Sequence, residues 1–142
     1  MRGAFAAPAL ALALLAGACS PTADAAEDAA AVPATGASVA TLDSAELAAL
    51  VAAGKVRLID VRTAEEFAQG SIPGAVNMPL DGFDPAAIVD EPGKETVLFC
   101  RSDRRSGLAA EKMAAERGET VRHLDGGILA WVADGQPVTE AR

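Results

Sequence analysis

Beyond the first 40 residues, apolar positions recur at helical spacing in some segments and form short continuous runs in others. The first helical segment opens with Asp43 and Glu46, which make a capping-box pattern. Leu47 and Leu50 continue this segment at helical spacing, and Gly54 follows where a helix would end. The pattern therefore predicts a first helix between the capping box and the glycine.

A run of apolar residues, 56–61, comes next and is broken only by Arg57 and Asp60. Such a run is typical of a central strand in a parallel sheet that is covered on both faces. By the same criteria, further extended segments are predicted at 75–78, 96–99 and 121–124.

Helical patterns separate these strands. Thr63 and Glu66 form a second capping box, and residues 85–89 predict a small helix. Alternating strands and helices predict an α/β domain with a mainly parallel sheet. The sequence indicates two further helices. The first ends at Gly118 and has one face made of Ser106, Ala109, Ala110, Met113 and Ala114. The second follows Gly126 and Gly127 and has Ile128, Trp131 and Val132 at helical spacing.

The N-terminus has the pattern of an export signal. Arg2 precedes an uncharged stretch rich in Ala and Leu, and small residues then lead to Cys19. This stretch is shorter than the ~20 apolar residues that span a bilayer. Residues 14–19 resemble a bacterial lipobox, in which the cysteine is lipidated, although Ala16 and Ala18 also suit ordinary signal cleavage. We expect a signal peptide at 1–18 and an exported bacterial protein, either periplasmic or anchored at the outer membrane as a lipoprotein.

Residues 19–39 are mostly Ala, Pro, Thr, Asp and Gly, and Val32 is the one larger apolar side chain before residue 39. Such a composition predicts a disordered tether. The folded domain is then expected at 40–140. Apart from the expected lipid on Cys19, nothing in the sequence predicts contact with a membrane, and we expect a monomer.

Charge and composition argue against two classes of function. The formal net charge is −8, which disfavours binding to nucleic acid. The chain has one histidine and two cysteines, so a cluster of metal ligands is not predicted. If Cys19 carries lipid, Cys100 has no partner for a disulfide, and an unpaired thiol in an oxidising compartment suggests a reactive one.

Cys100 follows the predicted strand at 96–99 and opens the polar, basic stretch CRSDRRS. Ligands of open parallel sheets bind beyond the carboxyl ends of the strands. The thiol should therefore lie in a loop that leads into a helix N-terminus, where free N–H groups favour an anion. Arg101, Arg104 and Arg105 add positive charge, and all these features favour the nucleophilic thiolate.

Two other cysteine chemistries do not fit this loop. A thioredoxin-like site needs a second cysteine three places after the first, where this chain has Asp103. A phosphatase of the Cys-x5-Arg kind needs arginine where this chain has Ser106.

Three separated segments resemble rhodanese domains: LIDVRTAEEFAQGSIPGAVNMPL at 58–80, CRSDRRS at 100–106 and HLDGGILAWVADGQPV at 123–138. The resemblance covers roughly residues 40–139. It implies a three-layer α/β domain with a mainly parallel sheet of about five strands flanked by helices. It also implies a sulfurtransferase that moves sulfane sulfur from thiosulfate or a persulfide to a thiol or cyanide-like acceptor, without a dissociable cofactor.

Carried over from the resemblance, Cys100 is the nucleophile that becomes a persulfide. The loop that binds the small anionic donor is made of Arg101, Ser102, Asp103, Arg104 and Arg105. Two other functions stay open: a non-catalytic module that binds a partner or delivers persulfide, and a thiol redox sensor.

The sequence departs from the rhodanese pattern at two positions. Asp103 stands where glycine is usual, and it places a negative charge beside the anion site; Ser71 stands where histidine is frequent. Aspartate tolerates a left-handed backbone better than most residues do, and it could also cap the next helix. Four other polar or aromatic side chains are interpreted as structural: Asp60 and Arg62 as a pair, His123 as a packed strand residue, and Trp131 as core.

Overall fold

The computed structural model describes residues 36–140, so the predicted signal peptide, Cys19 and most of the predicted tether lie outside the described residues. Strands and helices alternate along the chain. They are β1 (Ser38–Leu42), α1 (Ser44–Ala52), β2 (Val56–Asp60), α2 (Ala64–Ala68), β3 (Val76–Asn77), a 3₁₀ helix (Pro85–Ala87), β4 (Glu95–Phe99), α3 (Arg104–Arg117), β5 (Thr120–Leu124) and α4 (Gly127–Ala133).

The five strands form one sheet in the order β1-β5-β4-β2-β3, and every neighbouring pair is parallel. The prediction of a mainly parallel sheet of about five strands is confirmed. β4 lies in the middle of the sheet, so the residue that follows it emerges between the ends of β5 and β2.

Consecutive residues of the central strands point to opposite faces of the sheet. Leu98 contributes to the apolar cluster that packs under α3, and Val97 contributes to the cluster under α1 and α4. Trp131 of α4 is buried in the second cluster, as the sequence predicts, and its Nε1 donates to the carbonyl of Pro137 at 2.7 Å. Helices therefore cover both faces, which gives the predicted three layers.

Local helix signals are largely reproduced. Thr63 and Glu66 form a complete capping box at the start of α2. Asp43 caps α1 by accepting from the amide of Glu46 at 2.8 Å, while the Glu46 carboxylate pairs with Arg122. None of the helices in the described part of the chain is long and apolar enough to cross a membrane.

Two predicted boundaries need correction. The sequence pattern does not predict β1, which begins at Ser38, inside the predicted tether at 19–39. Only Leu42 of this edge strand is buried, so the strand lacks the continuous apolar run that marks the central strands. The second correction concerns α3, which begins at Arg104 and thus includes two arginines that the sequence assigns to the loop.

Candidate active site

Cys100 follows the last residue of β4, at the carboxyl edge of the sheet where the sequence places it. The residue is only 1% exposed and belongs to the cluster under α3. Cys100 forms no disulfide and is the one free cysteine among the described residues. Residues 101–104, which follow, are exposed.

The N-terminus of α3 lies directly after this short loop. Its first backbone bond joins Gly107 N to Asp103 O at 3.0 Å, so the amides of residues 104–106 have no acceptor within the helix. Asp103 stands at the N-cap position, but its side chain makes no capping hydrogen bond. The predicted cap is therefore wrong, and these amides remain available to an anion.

The backbone of Asp103 also differs from the expectation. Its φ of 178° is extended and not left-handed, so this position makes no special demand for glycine. The carboxylate instead turns toward β5, where Oδ1 lies 3.3 Å from Nδ1 of His123. The sequence offers no signal for this contact, because the two residues are 20 positions apart.

The loop is held from the other side by α4. The amides of Ile128 and Leu129 donate to the carbonyls of Cys100 and Arg101 at 2.9 and 3.1 Å. Gly127 permits this approach, because a Cβ there would lie 2.6 Å from the Cys100 oxygen. The second glycine of the Gly-Gly pair in the third rhodanese-like segment is thus explained by its contact with the loop at Cys100 and Arg101.

The three predicted anion-binding arginines are not equivalent. Arg101 and Arg104 are exposed and form no ion pair with any carboxylate of residues 36–140. Arg105 instead meets Glu66 through two hydrogen bonds of 2.7 and 2.9 Å. The capping role of Glu66 is predictable from the sequence, but its contact with Arg105 is not, and this contact leaves Arg105 less able to bind a donor.

The Glu66–Arg105 pair predicts a pH effect on stability. Hydrogen bonding from Arg105 lowers the pKa of Glu66 from its ordinary value of 4.5 to about 2, and it raises the pKa of Arg105. Because the folded pKa lies below the unfolded one, the pair stabilises the fold fully above about pH 4.5. That contribution is lost as the pH falls toward about 2.

Glu66→Gln keeps a side chain that suits a capping box but removes the charge. We expect the variant to unfold about 0.2–1 kcal/mol more easily than the unmodified protein at pH 7, as is usual for a partly exposed ion pair. Urea titrations at several pH values measure this difference, which should shrink below about pH 4. A difference that stays constant down to about pH 2 would contradict the assignment.

Asp60 and Arg62 form a buried pair, as predicted for structural residues. The Arg62 Nη2 atom lies 2.6 Å from Asp60 Oδ2 and donates to the carbonyl of Gly70 at 2.8 Å. The hydroxyl of Ser71, which replaces the frequent histidine, donates to the same carboxylate oxygen at 2.8 Å. This network fixes the chain after β2 and leaves no free charge for a substrate.

His123 is 5% exposed in β5, as expected for a packed residue. Its Nδ1 lies 3.2 Å from the hydroxyl of Ser106, and that hydroxyl lies 3.5 Å from the sulfur of Cys100. The histidine is thus one hydroxyl away from the thiol. Within residues 36–140 no group of three or more His, Cys, Asp or Glu side chains is arranged to hold a metal ion.

Similarity to known proteins agrees with this architecture. The chain is 37% identical to a sulfurtransferase from Allochromatium vinosum over 84 aligned residues. This alignment covers 58% of this chain and 78% of that protein. This chain is also 36% identical to human thiosulfate:glutathione sulfurtransferase, and the alignment covers 58% of this chain and 84% of the human protein. The chain spans about half the length of another relative, an uncharacterized protein from Synechocystis that is 38% identical.

A crystal structure of a rhodanese-related protein from Thermoplasma volcanium has the same fold. Its TM-score is 0.61 at 26% identity, and the match covers 70% of this chain and 96% of that one. Residues 43–134, more than half of the chain, match the rhodanese-like domain. This segment contains every element from α1 to α4 together with Cys100 and its loop, and the chain therefore belongs to the rhodanese-like domain family.

Proposed function

We propose that this domain is a sulfurtransferase that carries sulfane sulfur on Cys100. The observation that carries the proposal is the position of this thiol directly before the uncapped N-terminus of α3. The exposed side chains of Arg101 and Arg104 flank the same loop. A thiolate and free amides at one place can attack and bind an anionic sulfur donor.

With thiosulfate as donor, the Cys100 thiolate attacks the outer sulfur atom. A new S–S bond forms to Sγ, the S–S bond of thiosulfate breaks, and sulfite leaves with the bonding electron pair. The thiolate of an acceptor then attacks the outer sulfur of the persulfide, and Cys100 leaves as thiolate. No oxidant or reductant is consumed. Cyanide can replace the thiolate acceptor and yields thiocyanate.

The structure favours a small donor. Because Cys100 is 1% exposed, a bulky electrophile has little access to its sulfur, whereas the terminal sulfur of thiosulfate is a single atom. Arg101 and Arg104 are the better candidates for attracting the sulfonate group, since Glu66 already pairs with Arg105. The human relative named for thiosulfate and glutathione supports this choice of donor and of a thiol acceptor.

Sulfite release tests the function directly. We expect purified protein with thiosulfate and glutathione, or with cyanide, to release sulfite over many turnovers. Release of less than one equivalent of sulfite per protein molecule, with either acceptor, would contradict the proposal that the protein is a sulfurtransferase with these substrates.

A second candidate is a module that takes up sulfur once and delivers it to a partner. The pairing of Arg105 with Glu66 favours it, because it leaves one arginine fewer to bind a small anionic donor at every turnover. This function predicts a single equivalent of sulfite and no further turnover. The same assay therefore separates the two.

We also propose that the mature protein is exported and held at a membrane by lipid on Cys19, a residue outside the described part of the chain. The support is the lipobox-like stretch at 14–19. Cys19→Ala is expected to move the protein from the membrane fraction to the soluble fraction, since the acyl chains provide the anchoring energy. Cell fractionation and immunoblotting measure this shift. Continued membrane association of the variant would indicate an uncleaved signal.

A further inference from the structure

We propose that Asp103 and His123 are positioning residues that direct the hydroxyl proton of Ser106 toward the sulfur of Cys100. The proposal rests on the proposed function of Cys100 as sulfur carrier. It assigns a role to the residue that stands where rhodanese loops usually have glycine, and to the one histidine of the chain.

The Ser106 hydroxyl lies at the centre of this arrangement. Its oxygen is 3.5 Å from Cys100 Sγ, 2.8 Å from the carbonyl oxygen of Asp103 and 3.2 Å from Nδ1 of His123. Ser106 is 0% exposed and His123 is 5% exposed, so water competes little for these contacts. The protein groups themselves decide where the hydroxyl proton points.

A hydroxyl has one proton to donate and two lone pairs that accept. If Nδ1 of His123 lacked a proton, it would accept from Ser106, and no proton would remain for the sulfur. If Nδ1 carries a proton, it cannot accept from Ser106, and its N–H faces both the hydroxyl oxygen and the Asp103 carboxylate as acceptors. The Ser106 proton can then alternate between the Asp103 carbonyl and Cys100 Sγ.

Asp103 favours the second arrangement. Its carboxylate oxygen lies 3.3 Å from Nδ1 of His123, and a carboxylate next to a ring nitrogen favours a proton on that nitrogen. The main chain of Asp103 also accepts the Ser106 proton in the resting protein at 2.8 Å. When negative charge appears on the thiolate or persulfide of Cys100, the proton can turn to the sulfur without any other group moving.

Nuclear magnetic resonance can read the tautomer directly, since ¹⁵N-labelled protein without a histidine tag contains a single imidazole. At about pH 8, where imidazole is neutral in solution, we expect the Nδ1 signal to be that of a protonated nitrogen. A signal from an unprotonated Nδ1 in the unmodified protein overturns the proposal. This result depends on neither enzyme activity nor a variant.

Kinetics of sulfur loading provide the second test, with Asp103→Asn and Asp103→Gly as a matched pair. Asparagine removes the negative charge beside the proposed donor site but keeps an oxygen near His123, whereas glycine removes both. Both variants should lower KM for thiosulfate. Only glycine should also lower kcat, by about fivefold, which corresponds to about 1 kcal/mol for one hydrogen bond. Equal kcat values for the two variants contradict the proposal.

Variants of His123 test the other end of the contact. His123→Asn can place an amide donor where Nδ1 is, whereas His123→Gln places it near the position of Nε2. We expect asparagine to retain the loading rate better than glutamine at similar melting temperatures. A glutamine variant that loads as fast as the asparagine variant counts against the role of Nδ1. If the unmodified protein takes up no sulfur at all, the proposed function fails, and the tautomer measurement still decides this inference.

Discussion

Replacing Cys100 with serine is expected to abolish sulfur uptake from thiosulfate completely. The described domain contains no other free cysteine, and a serine hydroxyl is not ionised at neutral pH, so it cannot replace the thiolate as nucleophile. Sulfite release with thiosulfate and an acceptor thiol measures the loss. The rate should fall to that of the buffer alone.

The fold should survive this change. Cys100 is buried beside the Ser106 hydroxyl, which can accept a hydrogen bond from the new serine. Cys100→Ala serves as a control that adds no polar atom to the core. Both variants should keep the circular dichroism spectrum of the unmodified protein. Sulfite release by a folded serine variant at the original rate would show that another group carries the sulfur.

Arg62→Leu is expected to destabilise the domain by about 3–5 kcal/mol, because it leaves the carboxylate of Asp60 buried without its charge partner. Asp60 is 0% exposed and Arg62 is 6% exposed, so solvent cannot replace the lost contacts. Asp60 would keep the hydroxyl of Ser71 as a donor, which compensates only in part. Urea unfolding at pH 7 measures the effect.

Arg122→Leu is the matched control, since the Arg122 side chain also pairs with carboxylates, those of Glu95 and Glu46, but is 23% exposed. Its removal should cost about 1 kcal/mol or less. The double variant Asp60→Asn with Arg62→Leu removes both buried charges and should be more stable than Arg62→Leu alone. If Arg62→Leu is no less stable than Arg122→Leu, the buried pair does not hold the chain after β2.

Elements with a local signal were predictable from the sequence. The capping box of Thr63 and Glu66 starts α2, and the apolar run before Cys100 forms β4. The edge strand β1 was not predictable, because its residues are mostly exposed and its pairing with β5 joins segments about 80 positions apart. The place of Cys100 followed from the order of strand and helix alone.

The contacts around the thiol depend on packing between distant segments. Glu66 meets Arg105 across 39 positions, and His123 meets Ser106 across 17. The position of Cys100 and its loop depends on the approach of α4, which Gly127 permits. Each of these residues also fits a local helix, strand or turn pattern in the sequence. Their contacts with distant residues form only when the sheet brings the segments together, so the sequence alone does not predict them.

Intact mass spectrometry of the purified domain before and after incubation with thiosulfate tests the central claim most directly. Reduced protein should gain the mass of one sulfur atom, and addition of an acceptor thiol should remove it. The Cys100→Ser variant should gain nothing under the same conditions. An unchanged mass of the unmodified protein, or an equal gain in the serine variant, would contradict the assignment of Cys100 as the sulfur carrier.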